Sequence, residues 1–369
     1  MKLVSLEIRD FRNLAQVSLA PSPRATVLVG ENGQGKTNLL EAITFLATLK
    51  ALRATRLQEL IRFGSDRSEV AGVFDGPGGR RTLAVRIADG ARTAFLDGKV
   101  QERFDDYFEG LAAVSFTPDD LLLVKGGPEL RRRFLDRAAF NRWPAVLGEA
   151  RDYVRALRAR NAALRRGAPE VEQSFRQPLA RAGARLLVRR RALLQELGPR
   201  VEAAFREISG PQAPAARLEY RAAAGMRLEG GDEELTARLA AILAARLSRD
   251  QERGYTSAGP HGDDALLLLD GRGARFYGSQ GQQRALVLAL KIAEIENLRD
   301  QLGHPPLLLL DDVSSELDPE KNEHLLSYLA ALPGQAFLTT TDRRLLEPAA
   351  GPGSAFFRVE NGVVEPLLS

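Results

Sequence analysis

Residues 30–37 read GENGQGKT, a complete G-x-x-x-x-G-K-[ST] pattern set between a short apolar run at 25–29 and a helical pattern that opens at Lys36. Each residue type has a task in holding a triphosphate. Gly30, Gly33 and Gly35 free the backbone to turn N–H groups around a β-phosphate, and the helix N-terminus adds its dipole. Lys36 reaches the β and γ oxygens, and the Thr37 hydroxyl is a Mg²⁺ ligand. Glu31, Asn32 and Gln34 fill the remaining positions of the loop and count with it as ATP contacts. A second stretch, PLLLLDDVSSELD at 306–318, reads as a strand buried on both faces that ends in two carboxylates. Ligands of doubly wound sheets sit at that edge. Asp311 is therefore placed for the Mg²⁺ shell, and Asp312 for orienting the attacking water and accepting its proton. Read alone, the two carboxylates serve a turn or a helix cap equally well, and the phosphate loop in the same chain favours the catalytic reading.

A third segment, Ser279-Gln280-Gly281-Gln282, opens the helix that continues as QRALVLALKIAEIENL. A serine and a glycine at a helix N-terminus form an anion site from free N–H groups, the dipole and the hydroxyl. The same residues also suit an ordinary serine N-cap.

Around these segments the chain reads as an α/β protein whose motifs resemble an ATPase core of the ATP-binding-cassette type, with an antiparallel β subdomain and an inserted, mainly helical lobe. Residues 2–8 alternate apolar and polar, and 69–75, 81–88 and 93–96 form three further alternating stretches separated by Gly-rich and Asp-Gly turns, which predicts an antiparallel meander. A short strand is expected at 112–116. From about residue 129 the composition turns to Ala, Leu and Arg with helical spacing. Two long helices are expected at 145–166 and 170–208, an arm on the order of 40 to 50 Å. A strand at 217–222 and a helix at 233–253 follow. Strands at 264–270, 306–310 and 336–340, helices at 280–301 and 320–332, and a closing pair at 355–359 and 363–367 complete the pattern. The expected head is discontinuous, 1–120 with 254–369, and the inserted lobe is 121–253.

Charge distribution separates these parts. Between Arg131 and Arg206 lie 19 arginines, no lysine and 7 acidic residues, although the whole chain carries only +4. An excess of twelve positive charges in one lobe suits an acidic partner, and arginines on an arm can neutralise DNA phosphates in a sequence-independent, salt-sensitive way. The candidates are Arg131, Arg132, Arg133, Arg155, Arg158, Arg189 and Arg190; the competing reading makes such residues the solvated faces of long helices. Trp143 and Tyr153 are isolated, so stacking on single-strand bases is not expected from them. The chain has no cysteine, no window of 18 apolar residues and charge within its first ten positions. A soluble, cytoplasmic protein without signal peptide, membrane contact or disulfide is expected.

Phosphate loop, SQGQQ helix, paired aspartates and SELD stretch, in that order, resemble the ATPases of the SMC and Rad50 class. LEIRDFRNL at the start, FTPDDLLLVKGGPELRRRFLD at 116–136, GPHGDD at 259–264 and SQGQQRALVLALKIAE narrow the resemblance to the RecF family. The resemblance implies that Arg12 and Asn13 lie at the nucleotide. It also implies that Ser279, Gln280, Gly281 and Gln282 reach the γ-phosphate held by a second copy, and that 315–318 crosses the interface. On that basis Asp312, Lys36 and Ser279 carry hydrolysis. The family is expected to form an ATP-dependent homodimer, to bind DNA at duplex to single-strand junctions or gaps, and to load recombinase with RecO and RecR, associated with the nucleoid.

Three departures point to slow turnover and a switch. Residues 116–120 contain no glutamine, 339–341 are threonines where transporters carry a histidine, and the residue after Asp311 is Asp312 and not the longer Glu. A transporter subunit is disfavoured by the basic insert and the missing histidine, and a nuclease-coupled ATPase by the short arm and the absence of a cysteine hook. His261 suits packing or a nucleotide-dependent role equally.

Overall fold

The computed structural model describes residues 1–54, 56–102, 105–167, 169–312, 328 and 334–367. The chain divides into two compact units, Met1–Asp120 with Glu294–Ser369, and Leu121–Ala293.

In the first unit, strand β1 (Lys2–Phe11) alternates exposed and buried residues, with one register shift between Leu3 and Ser5. It pairs antiparallel with β2 (Leu14–Leu19) on one side and β4 (Arg67–Gly76) on the other. The meander expected from alternation continues through β5 (Gly79–Ala88), β6 (Ala91–Leu96) and β7 (Lys99–Val100), in the order β2-β1-β4-β5-β6-β7. Two of its turns are Asp-Gly pairs, Asp89-Gly90 and Asp97-Gly98, with positive φ at both residues. That geometry matches the right-handed twist of the strands it joins.

A second sheet holds β3 (Ala25–Val29), β8 (Ala113–Phe116), β12 (Leu307–Leu310), β13 (Ala336–Thr340) and β14 (Ala355–Glu360), all parallel, with β15 (Val363–Pro366) antiparallel at one edge. The order is β15-β14-β3-β13-β12-β8. Every residue of β12 is buried, as a continuous Leu run requires of a strand covered on both faces. Helix α1 (Lys36–Thr48) packs against strands of both sheets, which explains why it is buried nearly all round and shows no polar face. A single turn, α2 (Asp105–Phe108), and the helix Arg343–Ala350 also belong to this unit.

The second unit begins with a single turn, α3 (Leu122–Lys125), then α4 (Pro128–Arg142), α5 (Val146–Arg165) and α6 (Pro169–Ser209). Helix α6 agrees with the expected 170–208 to one residue at each end, but its 41 residues run about 60 Å at the helical rise, longer than the 40 to 50 Å expected of the arm. Helices α7 (Asp232–Ala245) and α8 (Leu247–Arg253) pack beside the arm. A three-stranded sheet in the order β11-β10-β9 joins β9 (Ala216–Arg221), β10 (Asp264–Leu269) and β11 (Arg272–Gly273). This antiparallel pairing draws residues 254–293, expected with the head, into the helical unit. After the turn α9 (Ala274–Tyr277), helix α10 (Gln280–Leu302) runs from the second unit into the first.

Arg160 on α5 is wholly buried, and its guanidinium donates to Glu172 Oε1 of α6 at 2.8 Å, Asp250 Oδ2 of α8 at 2.8 Å and Thr256 Oγ1 at 2.9 Å. A buried charge persists only when paired and hydrogen-bonded in this way, so this arginine ties the helices together and does not contribute to a basic surface.

Candidate functional site

The C-terminal ends of β3, β13 and β12 lie side by side because the three strands are parallel and adjacent. Val29 of β3 leads into the loop 30–37, Thr340 ends β13, and Asp311 and Asp312 follow β12. The Gly30 amide donates to the Thr340 carbonyl at 3.2 Å, which fixes the loop's entry on the neighbouring strand. Gly33 and Gly35 have φ of +83° and +118°, a region that side-chain-bearing residues rarely adopt. A Cβ on Gly35 would sit 2.9 Å from Asn13 Oδ1, and one on Gly30 only 2.2 Å from the Val359 carbonyl oxygen. The first turn of α1 contains no acidic residue, so its positive end is left for an anion.

Lys36 is buried, and its ammonium donates to the Gly30 and Glu31 carbonyls at 2.6 and 2.9 Å. Burial lowers its pKa from the ordinary lysine value, opposed by the nearby carboxylates of Asp312, Asp311 and Glu31. The Thr37 hydroxyl donates to Asp311 Oδ1 at 2.8 Å, and the Thr339 hydroxyl to the same oxygen at 3.0 Å. Asp312, with φ of +48°, donates its amide to Thr339 Oγ1 at 2.8 Å. Thr37 and Asp311 therefore present two hard oxygen donors within hydrogen-bond distance of each other, a set that suits Mg²⁺ completed by phosphate oxygens and water. No cluster of three or more acidic or His side chains suited to a metal occurs among the described residues. The site fits an ion that needs one carboxylate and a nucleotide, and does not fit an all-protein cage.

Arg12 and Asn13 form the turn between β1 and β2. Asn13 Nδ2 donates to the Gln34 carbonyl at 3.1 Å and its Oδ1 accepts from Asn38 Nδ2 at 2.8 Å, which pins the phosphate loop from the side. Arg12 Nε donates to Glu41 Oε2 at 2.9 Å. Three participants, Glu41, Arg53 and Asn38, escaped the sequence reading. Buried Glu41 also accepts from the Arg53 amide at 3.0 Å, and the Arg53 guanidinium donates to Asp311 Oδ2 at 2.8 Å. Thr339, noted in the sequence only as a threonine at the end of its strand, holds the same carboxylate. Glu41 left a signal, a carboxylate one turn after Thr37 on an otherwise apolar helix; Arg53 left none.

The tip of α10 carries the serine cap and is open to solvent. Ser279 Oγ accepts from the Gln282 amide at 3.2 Å while Gln282 Oε1 accepts from the Ser279 amide at 2.9 Å, a reciprocal cap. Ser279 and Gln280 are nevertheless exposed, and Gly281 and Gln282 half-buried. The cap engages the serine oxygen as acceptor and leaves its O–H as a donor.

Other candidates separate cleanly. Arg131 is bidentate to Asp264 at 2.7 and 3.0 Å, and Arg132 donates to the Asp263 carbonyl at 2.7 Å. Arg190 is buried and pairs with Asp136 at 2.7 Å. Arg131 and Arg190 are thus internal braces, and the DNA-contact expectation is withdrawn for both. Arg133, Arg155 and Arg158 are exposed, the first two paired with Glu129 and Asp152 on their own helices. Arg189 pairs with Glu149 and lies over the Trp143 ring. His261 is held by the Tyr153 hydroxyl at 2.5 Å and by the Thr256 carbonyl at 2.9 Å, a packing role within its own unit. Asp120 caps the turn after β8 by accepting from the Thr117 amide at 2.7 Å. The stretch 315–318 and the helix expected at 320–332 lie outside the described residues, Tyr328 excepted.

A phosphate loop after β3, a carboxylate ending β12 and a serine-tipped helix on an inserted lobe define an ATPase head of the ATP-binding-cassette type found in the SMC class. The family described as RecF/RecN/SMC N terminal domain matches residues 2–364. The chain is 73% identical over 369 residues to the DNA replication and repair protein RecF of Anaeromyxobacter sp. (strain Fw109-5), covering 100% of both chains. It is 55% identical to RecF of Myxococcus xanthus (strain DK1622), over 99% of this chain and 97% of the other. The structure of the recombination mediator protein RecF-ATP superimposes with a TM-score of 0.88 at 28% identity, over 100% and 98% of the two chains. An Smc head bound to a winged-helix domain of ScpA shares the fold at a TM-score of 0.55 and 17% identity. The chain belongs to the RecF family of DNA replication and repair proteins. No helix among the described residues is long and apolar enough to cross a membrane.

Proposed function

We propose that this chain is an ATP-gated, DNA-binding recombination mediator that acts as a homodimer. The observation that carries the reading is the meeting of Thr37 and Asp311 beside the loop 30–37, an arrangement with the donor set for Mg²⁺ and ATP. Gly30, Glu31, Asn32, Gly33, Gln34, Gly35 and Lys36 enclose the phosphates, with Arg12 and Asn13 beside them. When bound, Mg²⁺ neutralises charge on the β and γ phosphates. Asp312 orients water and takes its proton, and the short reach of an aspartate keeps hydrolysis slow. Ser279 to Gln282 of one copy complete the site of the other, so two ATP molecules are buried between two copies.

Dimerisation on ATP makes nucleotide binding a switch for DNA. Exposed arginines of the helical lobe, Arg133, Arg155 and Arg158 among them, contact the phosphate backbone of duplex or gapped DNA without reading bases. DNA stimulates the weak ATPase, and RecR and RecO act with the protein in recombinase loading on the nucleoid in the cytoplasm. RecF relatives carry the description of a recombination mediator in the RecFOR pathway, which supports this assignment.

The test is binding to duplex, single-strand and gapped DNA at several salt concentrations, with and without Mg-ATP. ATP should tighten binding to duplex and gapped substrates, with a steep loss of affinity as salt rises. Binding that ignores both ATP and salt would overturn the proposal.

A further inference from the structure

Immediately before Ser279, the short turn α9 displays Phe276 at 78% and Tyr277 at 67% exposure, although such side chains are normally covered. Arg275 lies over the Phe276 ring at 5.3 Å and Arg272 over the Tyr277 ring at 5.6 Å. The turn is not a loose loop. Gln283 Nε2 donates to the Ala274, Arg275 and Gly278 carbonyls at 3.1, 3.2 and 3.1 Å and locks the turn to the first coil of α10. Exposed aromatics flanked by arginines on a rigid platform have the composition of a binding hot spot and cost little ordering on association.

We propose that Phe276 and Tyr277, flanked by Arg272 and Arg275, form the anchor by which one copy of the chain docks on the phosphate-loop face of a second copy. This inference rests on the composite-site reading, since that reading carries Ser279, two residues beyond Tyr277, against the other copy's nucleotide. A turn locked to the same helix tip enters the same seam. Charge agrees, because Glu31 is exposed on the receiving loop and offers a carboxylate to the incoming guanidinium groups. Arginine and aromatic side chains also suit single-stranded nucleic acid. Their seat beside Ser279 favours the second copy.

The chain contains no cysteine, so Tyr277→Cys in the full-length protein creates one addressable thiol at the anchor. Maleimide labelling is followed with and without Mg-ATP in samples whose dimer fraction is read by light scattering. The anchor predicts at least about tenfold slower labelling in the ATP dimer, or a variant that binds ATP yet no longer dimerises where the wild type does. Unchanged labelling in a preparation that dimerises overturns the anchor and leaves the composite site standing. A wild-type chain that stays monomeric with ATP overturns both. Phe276→Ala should raise the protein concentration needed for dimerisation by about tenfold with ATP affinity unchanged. Normal dimerisation of this variant with lost binding to a single-stranded oligonucleotide would assign the patch to nucleic acid and overturn the proposal.

Discussion

Thr37 and Asp311 stand 274 positions apart in the chain, yet the hydroxyl of one donates to the carboxylate of the other at 2.8 Å. Three adjacent parallel strands impose that meeting. The consequence is a pair of hard oxygens at the mouth of a loop shaped for phosphates.

Asp311→Asn keeps the size of the side chain and most of its acceptor capacity but removes the charge that Mg²⁺ requires. Nucleotide titrations with Mg²⁺ and with a chelator should show that the variant loses the metal-dependent part of ATP affinity, at least about tenfold for a lost charge-assisted contact. An unchanged response to Mg²⁺ would remove Asp311 from the metal shell.

Gly30→Ala tests the loop's packing. Its Cβ would sit 2.2 Å from the Val359 carbonyl, backbone against side chain with no flexible group to yield. Overpacking of this kind costs about 1–3 kcal/mol. Urea unfolding should register the loss and ATP affinity should fall with it; wild-type values in both would show that the loop shifts freely.

Arginines in the helical unit should fall into two groups. Arg160→Ala leaves Glu172 and Asp250 buried without their cation and should cost about 3–5 kcal/mol of stability. Arg158→Glu changes an exposed residue, should leave stability within about 0.5 kcal/mol and should weaken DNA binding while lowering its salt slope by about one unit. Equal effects of the two variants on DNA binding at matched folded fraction would contradict this division.

Burial lowers the His261 pKa below the ordinary 6.5, opposed by its bond to the Thr256 carbonyl. The unfolded chain therefore takes up the proton first as pH falls, and stability is lost from about pH 6.5 down through the folded-state value, by at most about 1.4 kcal/mol per pH unit. Asp263, raised by burial above 3.8, acts with the opposite sign, its stabilisation falling as pH rises from about 3.8 through its folded-state value. His261→Asn should flatten the wild-type decline between about pH 7.5 and 5.5 in urea melts. Parallel profiles would show that the imidazole is not the titrating group.

Sequence patterns revealed the elements and the two chemical ends of the site for a local reason. Strand alternation, the all-Leu run of β12 and the glycine spacing of 30–37 are written in contiguous residues. Arg53 on Asp311 and Glu41 on Arg12 depend on which strands become neighbours, and no local pattern records that. The arginine excess misled in part for the same reason. Arg131, Arg160 and Arg190 look like surface charge in a list of residues, and only the arrival of Asp264, Asp250 and Asp136 turns them into internal braces. The segment RGARFYG passed unnoticed because its aromatics are conspicuous only once nothing is seen to cover them.

Sedimentation of the full-length chain with saturating Mg-ATP, beside Ser279→Arg, addresses the composite site directly. The wild type should sediment as a dimer holding one ATP per chain, and Ser279→Arg as a monomer that still binds ATP. A wild-type monomer at saturating nucleotide, or a Ser279→Arg dimer of undiminished affinity, would contradict a site shared between two copies.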